Sequence, residues 1–305
     1  MDKSKYIWMD GSFIKWDKAR VHVLSHTLHY GNGIIEGIKV YKTKEGKYVI
    51  YKLKEHINRL FESAKINLIN IPFSKKKLFN KIVVLMKKNE ITTDIYIRPH
   101  VFLGYGVMGL YHKETPVHTV ISSWPMNNHF GNKKNGIKVK VSSITKLSNK
   151  SSMVKSKSVS NYFNSQMAKC EALESYVDDA ILLDEEGYVA EGTAASVFIV
   201  KNNILITPPN DNSLNSITQC TIIEIAKSLG IKLIRRRITR EELYIAEEIF
   251  FAGTALEISS ICEIDGRKVG NNKYIVTKKL RKNYFKIVRG KNGTLQYFVS
   301  ASSNS

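Results

Sequence analysis

Lys157 precedes Asn161-Tyr162 and, further on, an acidic turn of small residues, Glu191-Gly192-Thr193-Ala194-Ala195-Ser196-Val197-Phe198. An amine, a nearby phenol and a later carboxylate are the groups a protein needs to hold pyridoxal 5'-phosphate and use it. The amine forms a Schiff base. The carboxylate keeps the pyridine nitrogen protonated, so that the ring acts as an electron sink. The phosphate wants backbone N–H groups at a helix start, together with hydroxyl donors. Leu214-Asn215-Ser216-Ile217-Thr218 opens a predicted helix after Pro208-Pro209, and Gly253-Thr254-Ala255 follows a predicted strand. Arg59, on an amphipathic helix, adds a fixed positive charge.

Taken singly, each residue has an ordinary reading. Ser or Thr at a helix start is a cap, and a lone helical Arg is solvated. Glu191 reads as a turn residue. Lys157 lies among Lys146, Lys150 and Lys155, and a loop lysine faces solvent. Order and spacing together set this group apart.

The elements that must position these residues alternate along the chain. Asp10-Gly11 and Glu45-Gly46 read as hairpin turns, the first between Tyr6–Trp8 and Ser12–Lys15, the second between Ile38–Thr43 and Lys47–Tyr51. Glu55–Leu68 is a predicted helix with Ile57, Leu60, Phe61, Ala64 and Leu68 on one face, and Lys75–Lys88 is another. Ile95–Phe102 and Val117–Ser122 read as strands. A polar stretch without periodicity, 127–136, reads as a linker. The second half predicts a strand at Ile137–Ile144, a Ser/Lys-rich loop at 146–158 and a helix at Tyr162–Ser175. Hairpins follow around Glu186-Gly187 and Asn202-Asn203, then a helix at Ser216–Leu229, a strand at Glu248–Ala252 and a helix at Lys273–Phe285. Strand pairs mixed with helices predict an α+β fold rather than a doubly wound nucleotide fold. The expected domains are a small N-terminal one (1–126), the interdomain loop (127–136) and a larger C-terminal one (137–305).

Length and composition agree with two domains. The chain has 305 residues, 43% hydrophobic and 24% charged, which fits a globular protein. No apolar run approaches a membrane span of ~18 residues. The polar, charge-broken N-terminal stretch lacks the core of a secretory signal, so the expected setting is cytoplasmic. Cys170, Cys220 and Cys262 are far apart, with no CxxC and no metal-ligand spacing; they read as reduced structural cysteines, and no metal site is expected. The net charge of +20 raises a nucleic-acid reading. However, the lysines are spread along the chain without interleaved aromatics. The physical consequence is a field that attracts anionic metabolites.

Residues 6–300 resemble the branched-chain amino acid aminotransferases of the class IV pyridoxal-phosphate-dependent transaminases. In the first half the resemblance rests on His26-Thr27-Leu28-His29-Tyr30-Gly31, Glu36-Gly37, His56-Ile57-Asn58-Arg59-Leu60 and Tyr96-Ile97-Arg98-Pro99. In the second half it rests on Lys157 with Asn161-Tyr162, Glu191-Gly192, Thr207-Pro208-Pro209, Leu214 with Ile217-Thr218, and Gly253-Thr254-Ala255-Leu256-Glu257-Ile258. The resemblance implies two α/β-type domains of mixed sheets and helices with the cofactor at the domain interface. It implies transamination of leucine, isoleucine and valine with 2-oxoglutarate. Lys157 is then the Schiff-base lysine and proton shuttle. Glu191 pairs with the pyridine nitrogen, and Tyr162 bonds the phenolic oxygen. Arg59, Thr254 and the backbone of Ile217 and Thr218 hold the phosphate. Tyr30, Tyr96 and Arg98 line the substrate pocket. Gly37 allows close approach, and Ala255 offers a backbone N–H. A neighbouring subunit's loop around Gly106–Leu110 closes the pocket. The implied partners are amino acids, 2-oxo acids and a second copy of the chain: a homodimer at minimum, a hexamer as the larger alternative, with no nucleic acid or membrane.

The chain departs from the class pattern at Ser158–Ser160, Ser196, Asn215-Ser216, Gln219, Met126 and His129. Ser216 stands where a glycine is usual, and must accept that glycine's backbone angles. Lys155 is a rival amine whose spacing to Asn161-Tyr162 is wrong. Rival functions are a D-amino acid transaminase, the lyase that makes 4-aminobenzoate, a catalytically dead scaffold, and a basic nucleic-acid-binding relative. The last predicts salt-steep binding and no visible absorbance.

Overall fold

The computed structural model describes residues 3–126, 130, 133, 135–290 and 296–299. These fall into two compact units. The first is drawn from Met1–Asn127, Ser156–Ser160 and Ile287–Ser305, the second from Asn128–Lys155 and Asn161–Lys286.

The first unit carries β1 (Tyr6–Met9), β2 (Ser12–Lys15), α1 (His26–Tyr30), β3 (Gly33–Ile35), β4 (Ile38–Lys42) and β5 (Tyr48–Tyr51). It continues with α2 (Leu53–Ile66), α3 (Lys75–Lys88), β6 (Ile95–Leu103) and β7 (Val117–Pro125). All strand pairs here are antiparallel, with β6 central between β4 and β7 and with β3 also pairing to it. One face of α2 buries Leu53, Ile57, Leu60 and Ala64, and α3 buries Leu78, Ile82, Leu85 and Met86. Each large apolar side chain among them contributes about 1.5–3 kcal/mol when fully buried. Ser74 caps α3 by accepting from Lys77 N at 3.2 Å. The α2 face also buries His56, Arg59 and Ser63, polar groups that a purely structural helix would expose.

The second unit carries β8 (Ile137–Val141), α4 (Phe163–Glu174), β9 (Asp179–Leu183), β10 (Val189–Gly192), β11 (Ser196–Lys201) and β12 (Ile204–Thr207). After these come α5 (Ile217–Ser228), β13 (Leu233–Arg235), α6 (Arg240–Tyr244), β14 (Glu248–Gly253), β15 (Glu257–Ile264), β16 (Arg267–Lys268) and α7 (Ile275–Val288), which belongs to this unit as far as Lys286. Its mixed sheet runs β10-β9-β8-β15-β14-β11-β12-β13, with β16 on β15. Phe198 and Phe250 are register partners and stack at 5.0 Å. Buried Glu248 caps α7, accepting from Val276 N at 2.9 Å, Thr277 N at 2.8 Å and Thr277 Oγ1 at 2.7 Å. Finally β17 (Gln296–Val299) pairs with β5 of the first unit's sheet.

The expected domains follow one another in sequence, whereas two segments beyond the linker belong to the first unit. The reason is hydrogen bonding. Ser158 bridges to Ile34, β17 pairs with β5, and Arg289 clamps Asp94 at 2.7 Å and the carbonyl of Lys42 at 2.6 Å. The expected linker, 127–136, lies largely outside the described residues, as does His129. The cysteines are unpaired. Cys170 and Cys220 are exposed, so they are not core residues.

Candidate active site

Lys157 sits on an extended segment pinned to two elements of the first unit. Its carbonyl accepts from Ile35 N at 3.0 Å, and its N–H donates to Ser63 Oγ at 3.0 Å. Ser158 donates to the Gly33 carbonyl at 3.3 Å and accepts from Asn67 Nδ2 at 3.2 Å. Its hydroxyl lies 2.8 Å from that of Ser160. The departures at 158 and 160 therefore supply hydrogen bonds that hold the lysine's backbone. Lys155 donates to the carbonyls of Asn210 and Ser213, the latter at 3.0 Å, which commits the rival amine to a structural task.

Arg59 is held by Glu36, which is fully buried. Arg59 Nε donates to Oε1 at 2.6 Å and Nη2 to Oε2 at 2.9 Å, while His56 Nδ1 meets Oε2 at 2.7 Å. Burial alone would raise the Glu36 carboxyl. The charge of Arg59 and the contacts with His56 outweigh it and hold the group well below the usual carboxylate range. Burial lowers His56, with the positive charges of Arg59 and Lys157 acting in the same direction against the attraction of Glu36.

Gly37 is required by close approach: a Cβ there would stand 2.0 Å from Tyr96 Oη. Arg98 Nη2 donates to that hydroxyl at 3.2 Å, and its guanidinium lies over the Tyr96 and Trp124 rings. Arg98 Nε is buried without a hydrogen-bond partner among the described residues. A buried donor left in this way asks for an acceptor from outside the chain. Tyr30, on α1, is 42% exposed, and its ring lies tilted against that of His26, with centroids 4.5 Å apart. His26 Nε2 in turn meets the carbonyl of Gly109 at 2.7 Å, tying the 106–110 loop to α1.

The remaining candidates lie in the second unit. Tyr162 ends a short 3-10 turn just ahead of α4. Glu191 sits on β10 and forms an ion pair with Lys146 at 2.6 Å. A Cβ on Gly192 would press on the Phe251 ring at 2.7 Å, and one on Gly253 would meet the Ala194 carbonyl at 3.1 Å. These contacts set the 192–195 turn against Phe251 and Gly253 on β14. At α5, Ser216 adopts φ −76° and ψ 121° and caps the helix by accepting from Gln219 N at 3.1 Å. The glycine's absence therefore costs no strain. The first-turn N–H groups of Ile217 and Thr218 have no carbonyl behind them within the helix and point outward. Gln219 is buried and donates to Thr207 Oγ1 at 3.1 Å.

Sequence reasoning gave Glu36, Ser63 and Lys146 no role. Ser63 carried a signal, being four residues beyond Arg59 on a buried helical face. Lys146 carried none.

The chain matches the family Amino-transferase class IV over residues 33–264, and it belongs to that family. The branched-chain-amino-acid aminotransferase of Pseudomonas aeruginosa is 43% identical over 293 residues, covering 95% of each chain. The fold is similar to the crystal structure of a branched-chain aminotransferase from Thermoproteus uzoniensis with norvaline, with TM-score 0.93, 36% identity and coverage of 97% of this chain and 99% of that one. It is also similar to a T.th. branched-chain amino acid aminotransferase complexed with N-(5'-phosphopyridoxyl)-L-glutamate, with TM-score 0.91, 35% identity and 96% of each chain covered. Among the described residues, no helix is long and apolar enough to cross a membrane.

Proposed function

We infer that the protein transfers the amino group of L-leucine, L-isoleucine or L-valine to 2-oxoglutarate, giving branched 2-oxo acids and L-glutamate, with pyridoxal 5'-phosphate as cofactor. The observation that carries this reading is the fixed backbone of Lys157 between β3 and α2. The donor set suits the cofactor. A helix start, a hydroxyl and a clamped guanidinium suit a phosphate, a carboxylate suits a ring nitrogen, and an amine suits an aldehyde. When bound, the cofactor supplies an electron sink for charge at the substrate Cα.

In this reading Lys157 attaches the cofactor and, once released, moves the proton from Cα. Glu191 holds the proton on the ring nitrogen, and Tyr162 bonds the phenolic oxygen. Arg59, Thr254 and the N–H groups of Ile217 and Thr218 bind the phosphate. Gly37, Tyr30 and Tyr96 shape the substrate site, and Ala255 offers its N–H. Arg98 meets a substrate carboxylate, whose burial without a partner would cost several kcal/mol. A homodimer belongs to the same reading. Its support is the exposed apolar surface of Leu28, Tyr30, Met108, Leu110 and Tyr111, with Leu110 85% exposed.

The test is a visible spectrum of the purified holoenzyme. L-leucine should consume the cofactor's visible band and 2-oxoglutarate should restore it. Lys157→Ala should abolish turnover, and Glu191→Ala should lose most of it even with cofactor bound. Activity on D-alanine but not L-leucine, or wild-type turnover by Lys157→Ala, would sink the reading.

A further inference from the structure

We propose that Lys146 is a positioning residue for the cofactor's ring nitrogen: its ammonium pins the Glu191 carboxylate and takes up part of its charge. The proposal rests on reading Glu191 as that nitrogen's partner. Lys146 Nζ lies 2.6 Å from Glu191 Oε1, with the two side chains only 11% and 16% exposed. An ordinary loop lysine looks different: the side chain of Lys150 is 76% exposed in its own ion pair.

The backbones of both residues are tied to one strand. Lys146 N donates to the Leu183 carbonyl at 2.8 Å, and Glu191 pairs with Leu182, both on β9. The β10 register shifts between Val189 and Glu191, and such an irregularity re-aims a side chain. The pair therefore sits on a shared frame, and neither side chain has to be recruited from solvent.

A carboxylate facing a pyridine nitrogen alone would grip the ring proton with its full charge. An ammonium on its other side withdraws part of that charge. The grip is then set by the pair, and the carboxylate is held in one orientation. Loss of the ammonium also removes a positive charge from the neighbourhood of the ring. Protonated forms of the bound cofactor then become easier to hold, so the pH midpoint of its visible transition should rise.

The experiment follows that midpoint in the holoenzyme of wild type, Lys146→Met, Lys146→Arg and Glu191→Gln. Lys146→Met keeps the aliphatic stem and should raise the midpoint by about half a pH unit or more. Lys146→Arg should restore it close to wild type. Lys146→Gln serves as a second neutral variant if the methionine form does not fold. A shifted Glu191→Gln beside an unshifted neutral Lys146 variant overturns the role of Lys146 alone. A shift that Lys146→Arg fails to reverse also overturns it, because the effect would not be one of charge. An unshifted Glu191→Gln overturns the reading of Glu191 itself, and this proposal with it.

Discussion

Glu36 decides whether Arg59 is a usable cation or a buried liability. The carboxylate takes two guanidinium hydrogen bonds and one imidazole contact inside the first unit. Removing one partner of a buried ion pair costs about 3–5 kcal/mol, because the other charge is left uncompensated. Glu36→Gln should therefore lower the melting temperature and, with Arg59 no longer held, weaken cofactor binding. Thermal melting with and without cofactor checks both effects; an unchanged melting temperature would count against the clamp. A second residue carries a pH signature. Burial, then the charge of Arg98, pushes His100 down to about 4, against about 6.5 when unfolded. The unfolded chain thus binds the proton first. The stability that neutral His100 contributes is complete above about pH 6.5 and is lost as pH falls toward about 4. His100→Leu should flatten that acid slope, by at most about 3 kcal/mol, in chemical denaturation measured across the window. An unchanged slope would remove His100 as its source.

At the level of elements, the start of α5 shows a serine replacing the usual glycine without penalty. Its φ of −76° is open to any residue, and its hydroxyl closes the first turn. Ser216→Ala should cost about 1 kcal/mol and Ser216→Gly only a few tenths, read from denaturant midpoints; equal costs would show that the cap contributes nothing. Much of this scale was legible in the sequence. Lys75–Lys88 has the predicted bounds, and the hairpins at Asp10-Gly11 and Asn202-Asn203 form as read. β3 and β15 were not legible: β3 is three residues long, and β15 reads Glu-Ile-Ser-Ser-Ile-Cys-Glu-Ile, which lacks alternation. The candidate site was read as residue types at a spacing, since Lys157, Tyr162 and Glu191 carry chemistry in their side chains. Its supports were not. Ser63 and Glu36 act on residues distant in the chain, and only folding brings those contacts about.

At the scale of the whole molecule, the net charge of +20 acts on every anion that approaches. Dicarboxylates should feel it more than zwitterionic amino acids. The kcat/KM for 2-oxoglutarate should therefore fall with added salt more steeply than that for L-leucine, because screening shortens the field to ~8 Å at physiological ionic strength. Steady-state kinetics over a salt series checks this, and parallel slopes would argue that the charge plays no part in capture.

The route of the chain has a consequence for its synthesis. Ser156–Ser160 and the last strand belong with the first unit, although many residues of the second unit are made before each of them. On the ribosome, the first unit therefore receives β17 only after the second unit's segments have been made. Until its final strand arrives, the edge of β5 stays open to any other chain that offers a strand. A fragment ending near residue 126 would carry that open edge permanently and would hold no Lys157.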